Sequence, residues 1–223
     1  MYPTAEDKME ALATVQTLLS FGFKNAISYG DGLDLYGWMR EHKEELQKEE
    51  IEITSGASKV CIITSNKNWV IKVGFQRATM KRWREGGIAD YCELEAEIYE
   101  KAVRENCADH LAVTVFCGEL DGIKVYLQER ADTCEDMFEE MMYEYVSNGY
   151  SRSRYTGSEY YDNIAAEVDD CESEMCIYAV LGESVESSAL VDFAYRNNIN
   201  DLHPLNWGIA QDDRIVLIDF SGF

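Results

Sequence analysis

The chain has 223 residues (25.5 kDa), 46% of them apolar and only 2 of them proline, enough for one large or two small packed cores. Its 42 acids against 20 lysines and arginines give a net charge of −22, which repels a nucleic-acid backbone and argues against a DNA or RNA partner. No apolar run is long enough to span a bilayer, and the start "MYPTAEDKME" lacks the basic-then-apolar order of a leader, so a cytoplasmic, membrane-free protein is expected.

The first 50 residues read as a helical extension. Thr4 is a cap, Glu6 and Asp7 sit in the first turn, and Met9, Leu12, Val15, Leu18 and Leu19 recur at helical spacing. After the break "YGDGLD", a second helix is expected from about Leu33 to Lys48. The period then becomes two, with strands near 51–54, 59–64 and 69–75 separated by Ser-Gly and Ser-Asn turns. A long helix is expected from about Thr79 through "ADYCELEAEIYEKAVREN". The strands "LAVTVFCGEL" and "GIKVYLQER" follow, joined by the hairpin signal Asp121-Gly122. Beyond Arg130 the chain reads helical in "TCEDMFEEMMYEYV", looping in "SNGYSRSRYTGSEYY", and helical again from about Tyr160 to Tyr195. It closes on two short strands in "DLHPLNWGIAQDDRIVLIDFSGF", and there is no internal repeat. The expected fold is α+β: a small antiparallel five-stranded sheet with one helix over 51–130, then a reduced, mainly helical lobe over 131–223. A cleft between such lobes is a natural ligand site.

Seven cysteines, at 61, 92, 107, 117, 134, 171 and 176, form no CxxC, and there are only three histidines (His42, His110, His203), so no zinc site is expected. The thiols are expected to be reduced and mostly buried. Between Asp132 and Glu186 there are 15 acids and 2 bases, a net −13. That stretch is either a set of solvated helix faces or a surface for something cationic.

Asp201, Asn206 and Asp219 are two carboxylates and a carboxamide around a short hairpin, a donor set that suits a hard cation. Asp201 and Asn206 also suit a plain turn, but a carboxylate after the apolar run "RIVLI" is costly to bury without a counter-charge. Lys72 lies between Ile71 and Val73 in a strand, where a lone lysine more often faces solvent. Gly56 in "TSGASK" suits either a hairpin turn or a close backbone approach to phosphate.

Four stretches in the same order resemble the protein-kinase-like family. "SGASKVCI" is similar to a reduced glycine-rich loop, "WVIKV" to the V-A-I-K strand, "DLHPLNWG" to the catalytic loop and "LIDFSGF" to the metal-binding D-F-G. The likeness spans roughly 51–223 and implies a two-lobe fold that binds ATP and Mg²⁺. It implies that Ser55, Gly56 and Ser58 lie under the phosphates. Lys72 would hold the α- and β-phosphates, oriented by Glu95 on the helix, with Glu93 and Glu97 as alternatives. Gln128, Glu129 and Arg130 would form the hinge that meets adenine through backbone groups. Asp201 would accept or orient the proton of the acceptor hydroxyl, and Asn206 and Asp219 would bind Mg²⁺. His203 is expected to pack the loop, and Trp207 and Phe220 to be core.

Two departures from the family stand out. Asn200 replaces the arginine that reads a phosphorylated activation loop, and the sequence runs out at Phe223, soon after Asp219. An acceptor platform is therefore expected from 132–199, the N-terminal helices or another chain. Such minimal kinase-like proteins resemble those of phages and other mobile elements. The expected function is an ATP- and Mg²⁺-dependent phosphotransferase acting on a protein or a small cationic molecule. The alternatives are a catalytically weak or inactive kinase-like binding module, and an acidic interaction protein of phage type acting on a host factor.

Overall fold

Thr4 opens the first helix, α1 (Ala5–Ser20), through a capping box: its hydroxyl accepts from the Asp7 amide while the Asp7 carboxylate accepts from the Thr4 amide. The computed structural model describes residues 1–28, 33–56, 58–76, 90–149 and 173–221. They form an α+β protein that divides into two compact units, Met1–Tyr99 with Val113–Arg130, and Glu100–Ala112 with Ala131–Phe223.

The first unit is built on an antiparallel sheet in the order β1-β2-β3-β5-β4. Its strands are β1 (Glu52–Ser55), β2 (Lys59–Ile63), β3 (Trp69–Gly74), β4 (Thr114–Leu120) and β5 (Ile123–Glu129). The β4–β5 turn is Asp121-Gly122 with φ of 51° and 81°, the doubly left-handed geometry that matches strand twist and that Gly122 makes easy. Helix α5 (Tyr91–Glu105) lies on the face carrying Tyr126, where Cys92 and Ala96 pack against that ring. Helix α1 lies on the other face, with Leu12 against Gly118, the ladder partner of Val125.

Several N-terminal expectations change. The buried stripe of α1 is Ala11, Val15 and Leu18, and Met9 is 63% exposed, because it falls on the far side of the helix from that stripe. A short α2 (Phe23–Ala26) follows, and the helix expected from Leu33 to Lys48 is two, α3 (Leu33–Glu41) and α4 (Lys43–Lys48). The break is at His42, whose ring stacks on Trp38 and whose Nδ1 lies 3.0 Å from the Trp38 carbonyl. The strand expected from Leu111 begins at Thr114 instead. Leu111 bridges Leu217, and the Ala112 amide donates to the Leu217 carbonyl at 3.0 Å. The first turns expected of α5, from Thr79, lie outside the described residues; the described helix starts at Tyr91.

In the second unit α6 (Glu135–Gly149) packs against α7 (Ser173–Leu181), and α7 against α8 (Val185–Asn197). A three-stranded sheet runs β6-β7-β8: β6 (Ala131–Asp132), β7 (Trp207–Ala210) and β8 (Ile215–Leu217). No strand was expected at β6; it is one because Ala131 and Asp132 pair with Ala210 and Ile209. Gly208 permits this approach, since a Cβ there would stand 2.8 Å from the Ala131 Cβ. The loop expected at 147–161 is helical over 147–149, the end of α6, and otherwise lies outside the described residues; of the helical stretch expected from about Tyr160 to Tyr195, the described part from 173 on forms α7 and most of α8. Among the described residues no helix is long and apolar enough to cross a membrane.

Candidate functional site

Cross-strand partners share a face of a sheet, and so do residues two apart on one strand. Lys72 on β3 stands opposite Cys61 and Tyr126, and Lys59 on β2 is two residues before Cys61. Both lysines therefore point toward α5. Both are buried, 4% and 5% exposed, and both meet Glu95, which is fully buried. Lys59 Nζ donates to Glu95 Oε1 at 2.5 Å and Lys72 Nζ to Oε2 at 3.1 Å. The α5 register selects among the three glutamates. Ile98 and Tyr99, one turn on, are buried on the same side as Glu95, whereas Glu97 is exposed and Glu93 pairs with Lys124 at 2.6 Å. Lys59 has no counterpart in the sequence expectations. As a lone lysine in a short strand it gives no sign of burial, and its carboxylate comes from an element 36 positions away.

Ser55 ends β1 and Ser58 is buried beside Lys59. Gly56 is exposed, and its amide closes the hairpin onto the Lys59 carbonyl at 3.1 Å. No contact within 4 Å would meet a Cβ at Gly56, and its φ is not left-handed, so the turn itself does not demand glycine. Gln128 and Glu129 belong to β5. Gln128 Nε2 donates to Thr114 Oγ1 at 2.9 Å, and the amides of Glu129 and Arg130 donate to the carbonyls of Val113 and Asn68, both at 2.8 Å.

In the second unit, Asp201 and Asn206 belong to one loop closed by a 3₁₀ turn, Pro204–Asn206. Asn206 is buried, and its Nδ2 donates to the Asp201 carbonyl at 2.7 Å, which turns Oδ1 to the other side of the amide. The Asn206 carbonyl accepts from the Ile218 amide at 2.7 Å, next to Asp219, so the hairpin of β7 and β8 keeps Asn206 and Asp219 as near neighbours. Asp219 is half-buried, and its Oδ1 accepts from the Ser221 hydroxyl at 3.2 Å. Trp207 and Phe220 are core. His203 does not pack the loop: it is 44% exposed, with Nε2 3.5 Å from Asp201 Oδ1, because the packing role is taken by Leu202 and Trp207. Among the described residues no group of three or more His, Cys, Asp or Glu side chains has metal-binding geometry.

Two features of the first unit were not anticipated. A cavity of about 240 Å³ opens at the end of β3, lined among others by Gln76, Asp90, Glu93 and Lys124. Asp90 caps α5, its Oδ1 accepting from the amides of Cys92 and Glu93 at 3.0 and 3.3 Å. Burial raises the Asp90 carboxyl above its ordinary value against the pull of those two amides. Burial, with Glu95 adding to it, also pushes the Cys92 thiol far up, so it stays protonated. The six described cysteines are thiols; Cys92 and Cys176 are buried and the other four half-buried. No protein-family model matches the chain, and no curated protein matches it.

Proposed function

We propose that the chain is an ATP- and Mg²⁺-dependent phosphotransferase with a minimal kinase-like two-lobe fold. The observation that carries this reading is the buried Lys72–Glu95 ion pair, from the third strand of a five-stranded antiparallel sheet to the helix on its face. A lysine placed there holds the phosphates of a nucleotide, and the helix carboxylate keeps its ammonium in position. Asn206 and Asp219 are the oxygen donors for magnesium. Their small number is no obstacle, because Mg²⁺ commonly binds through one or two carboxylates, substrate phosphates and water rather than an all-protein cage. When bound, the ion would supply positive charge to neutralise the phosphates. Asp201 would orient the acceptor hydroxyl and take its proton. Glu135, Asp136, Glu139 and Glu140 are exposed along α6, so an acceptor met there is a protein with a basic face or a small cationic molecule.

A regulatory module that binds nucleotide without transferring phosphate is the second reading. It is favoured by the Glu129 and Arg130 amides, which already donate to Val113 and Asn68 and so are committed at the proposed adenine contact. Calorimetry with Mg²⁺-ATP, followed by phosphate-release and autophosphorylation assays, separates the two. Transfer or hydrolysis lost in Asp201→Asn supports the enzyme. Tight binding with no turnover in wild type supports the module.

A further inference from the structure

We propose that His203 is a positioning residue for Asp201: its ring holds one oxygen of that carboxylate and leaves the other to the acceptor hydroxyl. The inference rests on the phosphotransferase reading. There Asp201 takes the acceptor's proton, the acceptor oxygen bonds the γ-phosphorus, and ADP departs with the electron pair of the broken bond. Asp201, Leu202 and His203 alternate in burial. Leu202 is 2% exposed, whereas the side chains of Asp201 and His203 are 34% and 44% exposed. The backbone is extended at His203, with φ −64° and ψ 163°, and side chains two apart on extended backbone share a side. Asn206 clamps the main chain at both ends of the pair. Its Nδ2 donates to the Asp201 carbonyl at 2.7 Å, and its amide donates to the His203 carbonyl at 2.9 Å. Between them the Leu202 carbonyl accepts from Trp207 Nε1 at 3.2 Å.

On this pinned loop His203 Nε2 lies 3.5 Å from Asp201 Oδ1, and among the described residues neither side chain has another hydrogen-bond or ion-pair partner. The ring does not serve packing, which Leu202 and Trp207 supply, and a pair this exposed adds little to stability. What it adds is direction. With its proton on Nε2 the ring donates to Oδ1 and restrains the carboxylate from turning. The contact is longer than a finished hydrogen bond, and catalytic contacts of that length commonly tighten once substrate is bound.

The test compares wild type, His203→Ala and His203→Gln by three measurements. They are the melting temperature, Mg²⁺-ATP affinity by calorimetry, and kcat and KM for phosphate release from Mg²⁺-ATP, with water as the acceptor. His203→Ala should melt with wild type and bind Mg²⁺-ATP as tightly, with KM unchanged. Its kcat should fall about tenfold or more, a part of the ~100- to 10,000-fold that a positioned general base contributes. His203→Gln places an amide N–H near the position of Nε2 and should recover most of that loss. Wild-type kcat in His203→Ala overturns the inference. So does a loss that melting temperature or nucleotide affinity shares, or one that glutamine does not relieve, because a structural role would give either. Turnover that Asp201→Asn abolishes and His203→Ala spares removes this inference alone. A wild type that binds Mg²⁺-ATP without turnover removes the phosphotransferase reading and this inference with it.

Discussion

Glu95 is the residue on which the first unit's charge balance turns, because one carboxylate faces two buried ammoniums. Neutralising it removes the carboxylate from both lysines, and loss of one member of a buried ion pair costs about 3–5 kcal/mol. Glu95→Gln should therefore lower unfolding free energy by about that much in a denaturant titration. Lys72→Met should behave differently, since Lys59 stays paired with Glu95, and a swap of similar volume costs about 1.5 kcal/mol or less. Equal stability of Glu95→Gln and wild type would contradict the buried trio. Half of this arrangement was legible. Lys72 and Glu95 could be matched because a V-I-K strand and a glutamate with Ile98 and Tyr99 one turn on limit the register. Lys59 could not, because the cost of burying a lysine is offset by a partner that only the folded sheet brings near.

At the scale of elements, the start of α5 offers a separate test. Asp90 caps the helix, but its burial raises the carboxyl pKa, so the ionised form is less stable folded than unfolded. Stability contributed by this group is fully present below the unfolded value of 3.8 and is lost as pH rises toward the higher folded value. Asn keeps an oxygen for both amides and cannot ionise. Asp90→Asn should thus melt above wild type at pH 7, with the advantage shrinking as pH falls toward 3.8; thermal melts across pH 3–8 read it directly. A variant that melts lower at neutral pH and converges from below would show that the negative charge at the helix start outweighs its desolvation. The strands were readable from their alternation and from turn chemistry such as Asp121-Gly122. Two-residue β6 has no period to read, and the break at His42 depends on a stack with Trp38 that helical spacing does not encode. The stripe of α1 was misjudged at Met9 because a small residue, Ala11, fills the buried position.

For the molecule as a whole, the net charge of −22 works against the anionic nucleotide of the proposed function. An acidic surface repels ATP over distance, so on the proposed reading affinity would have to come from local cations. The four motif stretches put Lys72, Asp201, Asn206 and Asp219 forward as candidates in order along the chain. Much of the acid-rich stretch between Asp132 and Glu186, which bears on the acceptor, falls among residues 150–172, outside the described ones. The most direct measurement is the ATP-induced stabilisation of wild type and Asp219→Asn, each with and without Mg²⁺. At a hundredfold excess over the dissociation constant, wild type with Mg²⁺ should gain about 2.7 kcal/mol. Asp219→Asn should keep the ligand-free melting temperature and lose the Mg²⁺-dependent part of that gain. A wild type that ATP and Mg²⁺ leave unchanged would contradict the phosphotransferase account.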